Sequence, residues 1–396
     1  MLSEPGARSP AAADIAEDRP AVVLGLLWAG LSFARSLGRT GVPVTGISMH
    51  PHEFGIRSRY LTDVVRADGD AAALAGLRRA AADGPKPVLL PERDDHVELV
   101  LRHWDELAAL YEVPLPPDPG IAHRLRRKES LPAEAARAGV AAPATVTADS
   151  ERTLLSLELR PPYLLKPVEG QAFAGSFGQK VLVAEDTESL VAVWREAHAR
   201  GFGTVVQELV PDAHEHIWSL FAYISRGGRP LATVTGRKVR QGPVRFGTSA
   251  VFETRPQPRV RELGVRLLET AGYRGFGHVE FAHDARDGDF KVLEVNTRVP
   301  MWAGVAMSRF LDTARIAYDD LCGRPEPEPR HFDDEVSWSF LAKDVWVSVG
   351  MARRRELGPR AFLRPYLRRK KARAVLAADD PLPALAVPAY LSSKLG

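Results

Sequence analysis

Three kinds of feature are scarce or missing in this sequence. A single cysteine, Cys322, among 396 residues excludes an internal disulfide framework and a cysteine-based zinc site, and it fits a reducing cytoplasm. No apolar run approaches the length of a transmembrane helix, since residues 22–31 are too few and Gly25 and Gly30 interrupt them. A charge excess is missing as well, because 53 basic and 50 acidic residues give a formal net charge of +3, so we predict no nucleic-acid partner.

The fingerprint of a dinucleotide site is also missing from a segment that otherwise reads as a Rossmann unit. Residues 21–26 are typical of a buried strand, residues 31–37 of a helix and residues 42–47 of a second strand. The turn at 25–30 lacks the G-x-G-x-x-G spacing, and the second strand does not end in the acid that binds a ribose hydroxyl. We therefore predict a Rossmann-like N-terminal domain without a dinucleotide site.

A third predicted strand, residues 87–90, is followed by four charged residues, Glu92 to Asp95. Open α/β sheets bind ligands at the carboxyl ends of their strands, so this position is a candidate for substrate contact. We expect Asp94 or Asp95 to cap the next helix and consider Glu92 the candidate that faces substrate.

The most informative stretch is a predicted β-hairpin around residue 287. Its strands, residues 276–281 and 290–298, alternate between an apolar and an acidic face. A three-residue loop that ends at a left-handed Gly288 would place Glu280 directly opposite Glu294, with Cβ atoms roughly 4.5 to 5.5 Å apart. A two-residue turn would instead mix the two faces.

This hairpin predicts a divalent-cation site. Two carboxylates about 5 Å apart repel by about 3 kcal/mol at an effective dielectric constant near 20, so a cation between Glu280 and Glu294 best explains the pair. Asn296 lies on the same face and adds an amide oxygen. Oxygen ligands favour magnesium, with manganese as the alternative ion. The other interpretation is a solvated strand face that carries two unrelated glutamates.

The string Glu294-Val-Asn-Thr-Arg298 in this hairpin resembles the E-x-N-x-R element of the ATP-grasp superfamily, in particular its carboxylate-amine ligases, the group of D-aspartate ligase. The resemblance covers residues 120–322 and, more loosely, the N-terminal domain. It implies an α/β (α+β) protein with the ATP-grasp fold and a Rossmann-like pre-ATP-grasp domain. It also implies that Glu280, Glu294 and Asn296 hold magnesium against the ATP phosphates, and that Arg298 meets a carboxylate or acylphosphate.

The same resemblance divides the chain into segments. We predict a disordered tail at 1–19, an N-terminal domain at 20–118, an ATP-grasp domain at 119–324 and a C-terminal extension at 325–396. Within the ATP-grasp domain, a small lid subdomain occupies about 145–210 and a C-terminal subdomain about 211–324.

Two lysines and a glycine-rich turn are the predicted phosphate contacts. Lys128 precedes a helix and then G-V-x-x-P-x-T, an order that implies phosphate contact by resemblance, although a lone lysine is otherwise a solvated charge. Lys166 ends a predicted strand and leads into a turn whose N–H groups could surround phosphate oxygens. The residues proposed for this flap are Gly170, Gly175, Ser176 and Gly178.

The remaining predicted contacts come from the resemblance. Residues Glu208, Leu209 and Val210 fit the adenine-binding strand end, and Glu215 fits the ribose contact. A cationic strand and the loop after it bring Lys238, Arg240 and Arg245, which suit the negative charge that develops during phosphoryl transfer.

We therefore predict an ATP-dependent ligase that activates a small carboxylate as an acylphosphate and joins it to a small amine. Two alternatives stay open: phosphoryl transfer without ligation, and a nucleotide-binding protein without catalysis. The sequence reveals neither substrate and leaves a homodimer open. We interpret the basic stretch at 364–373 as a solvated helix face, with a membrane surface or an acidic carrier as the alternatives.

Overall fold

The computed structural model describes residues 18–168, 170–211, 213, 217–243, 247–308 and 311–393. The predicted disordered tail at 1–19 therefore lies almost wholly outside the described residues. The described part contains a four-stranded parallel sheet, a four-stranded antiparallel sheet, an eight-stranded sheet and a short two-stranded ribbon. These sheets follow the predicted order of the domains, whose boundaries remain predictions.

The N-terminal sheet is parallel, with strand order β3-β2-β1-β4. Its strands are β1 (Ala21–Leu24), β2 (Val44–Ser48), β3 (Asp63–Arg66) and β4 (Val88–Pro91), and its helices are α1 (Trp28–Arg39), α2 (Asp70–Ala80), α3 (Asp94–Arg102) and α4 (Trp104–Leu110), with a 3₁₀ turn at Phe54–Arg57. The predicted β–α–β order is confirmed. The sequence analysis did not identify β3, an edge strand with little buried apolar surface.

Two buried glutamates occupy the turn between β1 and α1. Glu92 accepts the N–H groups of Leu27 (2.8 Å) and Ala29 (3.0 Å), and Glu53 accepts that of Leu26 (3.0 Å). These are the donors that a phosphate uses in a dinucleotide-binding turn. The prediction that Glu92 faces substrate is thus wrong: it is 4% exposed and binds the backbone of its own domain.

The lid subdomain follows two helices, α5 (Pro119–Arg126) and α6 (Leu131–Arg137). Its antiparallel sheet has the order β5-β8-β6-β7 and packs on one face against helices. Its elements are β5 (Thr145–Thr147), α7 (Glu151–Leu155), β6 (Tyr163–Pro167), α8 (Gly170–Phe177), β7 (Leu182–Ala184), α9 (Thr187–Ala199) and β8 (Thr204–Glu208).

The large sheet runs β13-β12-β9-β10-β11-β17-β18, and β16 pairs with β10. Its first part comprises β9 (Ile217–Ile224), β10 (Pro230–Gly242), β11 (Thr248–Thr254), α10 (Pro258–Thr270), β12 (Gly275–His283) and β13 (Phe290–Asn296). A 3₁₀ turn (Ala303–Val305), the ribbon β14 (Met307–Ser308) and β15 (Leu311–Asp312), and α11 (Thr313–Leu321) follow. The predicted hairpin of β9 and β10 is confirmed, whereas the helix predicted from Gly304 begins only at Thr313.

The last 70 residues are integrated into the fold. They supply β16 (Arg330–Phe332), β17 (Ser337–Ser339), α12 (Leu341–Arg353), α13 (Pro359–Leu367), β18 (Lys371–Arg373), α14 (Leu382–Leu385) and α15 (Val387–Ser392). Asp380, 1% exposed, forms an ion pair with Arg35 of α1 (2.9 Å) and ties this segment to the N-terminal domain. Among the described residues, no helix is both long and apolar enough to span a bilayer.

The β12–β13 hairpin has the predicted register at its centre. Glu280 lies directly opposite Glu294, and His278 opposite Asn296. The predicted three-residue loop is wrong, because pairing ends at His283 and six residues make the reversal. Gly288 does have the predicted left-handed conformation (φ 74°).

A β-bulge after Glu280 reconciles the longer loop with this register. Phe281 pairs with Val292, so Leu293 is the extra residue of β13. Val292 therefore joins Val279, Phe281 and Val295 in the hydrophobic core, while Leu293 is half-buried.

Candidate active site

The acidic face of the β12–β13 hairpin is a connected polar network. Asn296 donates to Glu294 Oε1 (3.1 Å), and Arg298 donates to Asn296 Oδ1 (3.2 Å). On the opposite strand, His278 Nε2 lies 3.5 Å from Glu280 Oε1. Burial, together with the nearby charges of Arg298 and Lys238, lowers the pKa of His278 to about 3, so this imidazole is neutral at pH 7.

Lys238 of β10 neutralises the more buried carboxylate. Its Nζ donates to Glu280 Oε2 (2.7 Å), and Glu280 is 6% exposed. Burial raises the pKa of Glu280, and Lys238 offsets part of that rise. Burial also opposes ionisation of Glu294, but Lys238, Asn296 and other neighbours outweigh it and lower the pKa of Glu294. Glu294 is thus the ionised carboxylate of the pair, and its side chain is exposed.

Lys128 and Lys166 lie at the edge of the lid, within electrostatic reach of Glu294. Lys128 Nζ donates to the carbonyl of Pro167 (2.6 Å), and Lys166 Nζ donates to Gln207 Oε1 (2.5 Å). Burial lowers the pKa of both ammonium groups, that of Lys166 to about 8, while Glu294 favours their charged forms. Lysines with weak neutral partners and a depressed pKa are well suited to bind an incoming polyphosphate.

Arg298 connects the hairpin to the N-terminal domain through Asp94. Its Nη2 donates to Asp94 Oδ2 (2.7 Å) in the first turn of α3. The helix-capping role predicted for Asp94 or Asp95 is wrong, because the N-cap is Arg93 and the structure shows no side-chain cap there. Asp94 is a site residue whose role the sequence analysis missed, since only the fold brings its domain against residue 298.

A second missed residue, Lys343, comes from the C-terminal extension. It donates to the carbonyl (2.8 Å) and the hydroxyl of Thr248. Its chain crosses Gly242 so closely that a Cβ there would lie 3.2 Å from Lys343 Cε and 2.6 Å from Val347 Cγ2. Burial and the like charges of Lys180 and Lys238 lower the pKa of Lys343 to about 8. Lys343 therefore belongs to the same cationic cleft.

Arg240 does not lie in this network. Its guanidinium forms a bidentate ion pair with buried Asp344 of α12 (2.6 and 2.8 Å) and donates to the carbonyls of Ala361 and Phe362. The residue is 5% exposed. Although it was predicted beside Lys238 as a catalytic cation, the structure gives Arg240 partners that fasten α12 and α13 to the sheet.

The predicted glycine-rich flap is a helix, α8. Phe173 and Phe177, one helical turn apart, stack with ring centroids 4.4 Å apart, and Phe173 is completely buried. This packing favours a helix over an open phosphate-binding turn. Ser176 accepts a hydrogen bond from Arg200 (2.9 Å), Gly175 has open space around it, and Gly178 follows the helix with φ 66°.

The predicted adenine contacts lie at the end of β8. Glu208 accepts from Arg286 in the hairpin turn (2.6 Å), the N–H of Leu209 bonds to the carbonyl of Pro162 (3.4 Å), and Val210 is 2% exposed. Glu215 and Arg245 lie outside the described residues. The nucleotide roles of these positions remain predictions.

The donor set of the hairpin fits a hard cation such as magnesium. Glu280, Glu294 and Asn296 supply oxygen atoms, and at least one of the carboxylates is ionised. No group of three or more His, Cys, Asp or Glu residues in the described ranges could hold a metal. An ion here would thus receive few protein ligands and complete its shell with water and phosphate oxygens, as magnesium does with nucleotides.

Three comparisons place these residues among known proteins. The family described as "Carbamoyl-phosphate synthase L chain, ATP binding domain" matches residues 235–308, which include β10, β11, α10 and the β12–β13 hairpin. The chain is 22% identical over 247 residues to D-aspartate ligase from Enterococcus faecium, and the match covers 59% of this chain and 58% of the relative.

A second relative is D-alanine–D-alanine ligase from Alkalilimnicola ehrlichii, 27% identical over 187 residues, which cover 42% of this chain and 60% of the relative. The matches thus span less than two thirds of either relative. The crystal structure of an ADP complex of N5-carboxyaminoimidazole ribonucleotide synthetase superposes with a TM-score of 0.62 at 15% identity, over 84% of this chain and 85% of the other.

Proposed function

Since this chain has the ATP-grasp fold, we propose that it is an ATP-dependent ligase that activates a carboxylate as an acylphosphate and joins it to an amine. One observation carries the proposal. The Glu280–Glu294 pair lies within electrostatic reach of lysines from separate parts of the fold: Lys128, Lys166 and Lys238. Acidic ligands for a cation, surrounded by cations for phosphate, are the arrangement that phosphoryl transfer from ATP requires.

Glu280, Glu294 and Asn296 are the residues that would hold Mg²⁺, with Mn²⁺ as the substitute. When bound, the ion neutralises charge on the ATP phosphates. The lysines act from the other side. Because the pKa of Lys166 is about 8, this side chain is only partly committed to its charged form before nucleotide arrives. A bound polyphosphate favours the ammonium form, so we expect Lys166 to become fully charged as ATP binds.

The chemistry consists of two displacements. A carboxylate oxygen of the substrate attacks the γ-phosphorus, the bond to the β-phosphate oxygen breaks, and ADP leaves. The amine nitrogen then attacks the acyl carbon, the bond to the phosphate oxygen breaks, inorganic phosphate departs, and the nitrogen loses a proton. Arg298 is the proposed contact for the carboxylate or acylphosphate, and Asp94 fixes the orientation of its guanidinium.

The further assignments are parts of this proposal. Glu208, Leu209 and Val210 would contact adenine, and Gly175, Ser176 and Gly178 would lie near the phosphates at the end of the lid. Glu215 is the proposed ribose contact and Arg245 a further catalytic cation. The two curated relatives are named as ligases of D-aspartate and of D-alanine, which supports an amino acid as one substrate. A cytoplasmic location remains part of the proposal.

The proposal is tested by screening pairs of carboxylic acids and amines for ADP release, with mass detection of the product. We expect ADP release that requires both substrates and a product equal in mass to the two substrates joined with loss of water. A stable phosphorylated carboxylate or hydroxyl compound, without a joined amine, would show a kinase instead. No substrate-dependent ADP release across a broad amino-acid panel would favour a nucleotide-binding protein without catalysis.

A further inference from the structure

Helix α12 exposes an apolar face that nothing in the described chain covers. Leu341, Val345, Trp346 and Val349 follow helical spacing, so they share one side of the helix. Trp346 is 63% exposed and Leu341 57% exposed, whereas Asp344 and Val347 face the sheet and are buried. Exposed apolar side chains that cluster in this way mark interaction surfaces.

Helix α13 mixes apolar and basic residues on one exposed side. Arg360, Leu363, Arg364 and Leu367 are all exposed and lie at positions i, i+3, i+4 and i+7, and the exposure of Leu367 reaches 77%. Pro365 of the same helix is buried. A solvated helix face does not need leucines among its arginines, so the structure argues against the simple surface interpretation of this basic stretch.

Both helices lie on the same side of the large sheet. Arg240 of β10 binds Asp344 of α12 and the carbonyls of Ala361 and Phe362 of α13. Tyr366 of α13 also donates to Asp344 (2.5 Å). Because the inner residues of both helices meet at one buried ion pair, their outer faces point away from the sheet together. We call the exposed residues of these faces, with the arginines around them, the α12–α13 surface.

The charge of this surface is strongly one-sided. Residues 353–373 contain ten of the chain's 53 basic residues but only one of its 50 acidic residues, Glu356. Several arginines of the segment have no ion-pair partner in the part of the chain that the structure describes: Arg353, Arg355, Arg360, Arg364, Arg369 and Arg373. Exposed arginines elsewhere are commonly paired, for example Arg195 with Glu151.

We propose that the α12–α13 surface docks on an anionic lipid bilayer, with the arginines at the lipid phosphates and Trp346, Leu363 and Leu367 in the boundary region below them. Helices that lie at a membrane interface combine basic residues with tryptophan and leucine in this way, and long arginine side chains reach upward to the headgroups. This inference does not depend on the ligase function.

A lipid surface accounts for both properties of the α12–α13 surface. An acidic protein or a nucleic acid would satisfy the arginines, but the leucines that alternate with them would remain in water unless a matching pocket received each one. A bilayer accepts the charges and the interleaved apolar side chains at once, and it requires no shaped partner.

The test measures binding of the full-length chain to vesicles by sedimentation. We compare vesicles of phosphatidylcholine alone with vesicles in which a quarter of the lipid is phosphatidylglycerol. We expect binding to the anionic vesicles only, weakened as salt rises. The double variant R360E/R364E and the double variant W346S/L367S should each reduce binding by roughly tenfold or more.

The chain offers a matched control on α7 of the lid, where Leu155 is 66% exposed and Arg152 is also exposed. The variant R152E/L155S should bind vesicles as the wild type does, and thermal unfolding checks that all variants are folded. Equal loss in the control, or no binding to anionic vesicles at low salt, would overturn the proposal. So would binding to soluble polyglutamate that matches vesicle binding and is unaffected by W346S/L367S, because that result indicates an acidic protein partner.

Discussion

Two pairs of glutamates in this protein have opposite surroundings. Glu53 and Glu92, at the end of the N-terminal sheet, are 1% and 4% exposed and accept backbone N–H groups of the β1–α1 turn. Glu280 and Glu294, across the β12–β13 hairpin, are surrounded by lysine and arginine side chains, and Glu294 is open to solvent. The first pair is satisfied by the fold, whereas the second keeps an oxygen-rich face that can accept a cation.

The difference shows that burial and a perturbed pKa do not identify a functional carboxylate by themselves. Burial raises the pKa of Glu53, Glu92 and Glu280 alike. What separates the pairs is the chemistry of their partners, since backbone donors complete a structural site, and mobile cations leave it able to exchange ligands. The two cations of β10 divide in the same way, with Lys238 in the cleft and Arg240 in a buried ion pair.

The largest expected effect tests the structural half of this comparison. Arg240→Met should lower the free energy of unfolding by roughly 3 to 5 kcal/mol, because it leaves Asp344 as an unpaired buried charge. The double variant R240M/D344L should recover most of that stability, which urea unfolding would measure. If the double variant is stable but does not release ADP, Arg240 acts in catalysis after all, as its position beside Lys238 suggested.

The functional half is tested by Glu294→Gln. We expect ADP release to fall by roughly 10²-fold with little change in stability, because the amide removes the ionised ligand of the proposed magnesium site. The matched control is Glu92→Gln. It should lower stability by roughly 1 to 3 kcal/mol, since one N–H of the β1–α1 turn loses its acceptor, while folded molecules keep their turnover. The opposite assignment of effects would reverse the comparison.

Glu53 makes the stability of the N-terminal sheet depend on pH. Burial and the nearby Glu92 raise its pKa from an ordinary value of 4.5 to about 8, so the folded state binds this proton more tightly than the unfolded state does. The contribution of Glu53 is complete below pH about 4.5 and is lost as the pH rises toward about 8. Glu53→Gln should therefore gain stability relative to the wild type between these pH values, as measured by thermal unfolding. Parallel pH profiles for the two proteins would contradict this.

The smallest effect is expected at the edge of the cleft. Lys343→Met should raise the KM for ATP or for the acidic substrate by up to about tenfold, because one cation of the cleft is lost while the main ligands remain. Lys370→Met is the control, since Lys370 is exposed and pairs with Asp334 at the surface (2.5 Å). A change of the same size in both variants would remove Lys343 from the site.

The sequence predicts the features that depend on local periodicity. Alternation alone gave the facing of Glu280 and Glu294, and apolar runs with glycine turns gave most of the N-terminal strands and helices. The bulge at Leu293 did not follow from the sequence, because a longer loop closed by buried Asp284 replaces the short one, and only the register of the complete sheet reveals it.

Contacts between distant segments were beyond the sequence analysis. Asp94 meets Arg298 across 204 residues, and Arg240 meets Asp344 across 104 residues. Neither partner carries a local pattern that distinguishes it from a surface charge. The flap was misassigned because its glycines suggested an open turn, whereas Phe173 packs into the lid core and favours a helix. The strands of the C-terminal extension are three residues each, too short for an alternation signal.

The measurement that tests the central claim most directly is the calorimetric binding of a non-hydrolysable ATP analogue with and without Mg²⁺. The wild type should bind the nucleotide more than about tenfold tighter when the ion is present, and Glu280→Gln and Glu294→Gln should each lose most of that enhancement. If both variants keep the full magnesium dependence of the wild type, the facing carboxylates of the β12–β13 hairpin do not hold the ion, and the proposed site is wrong.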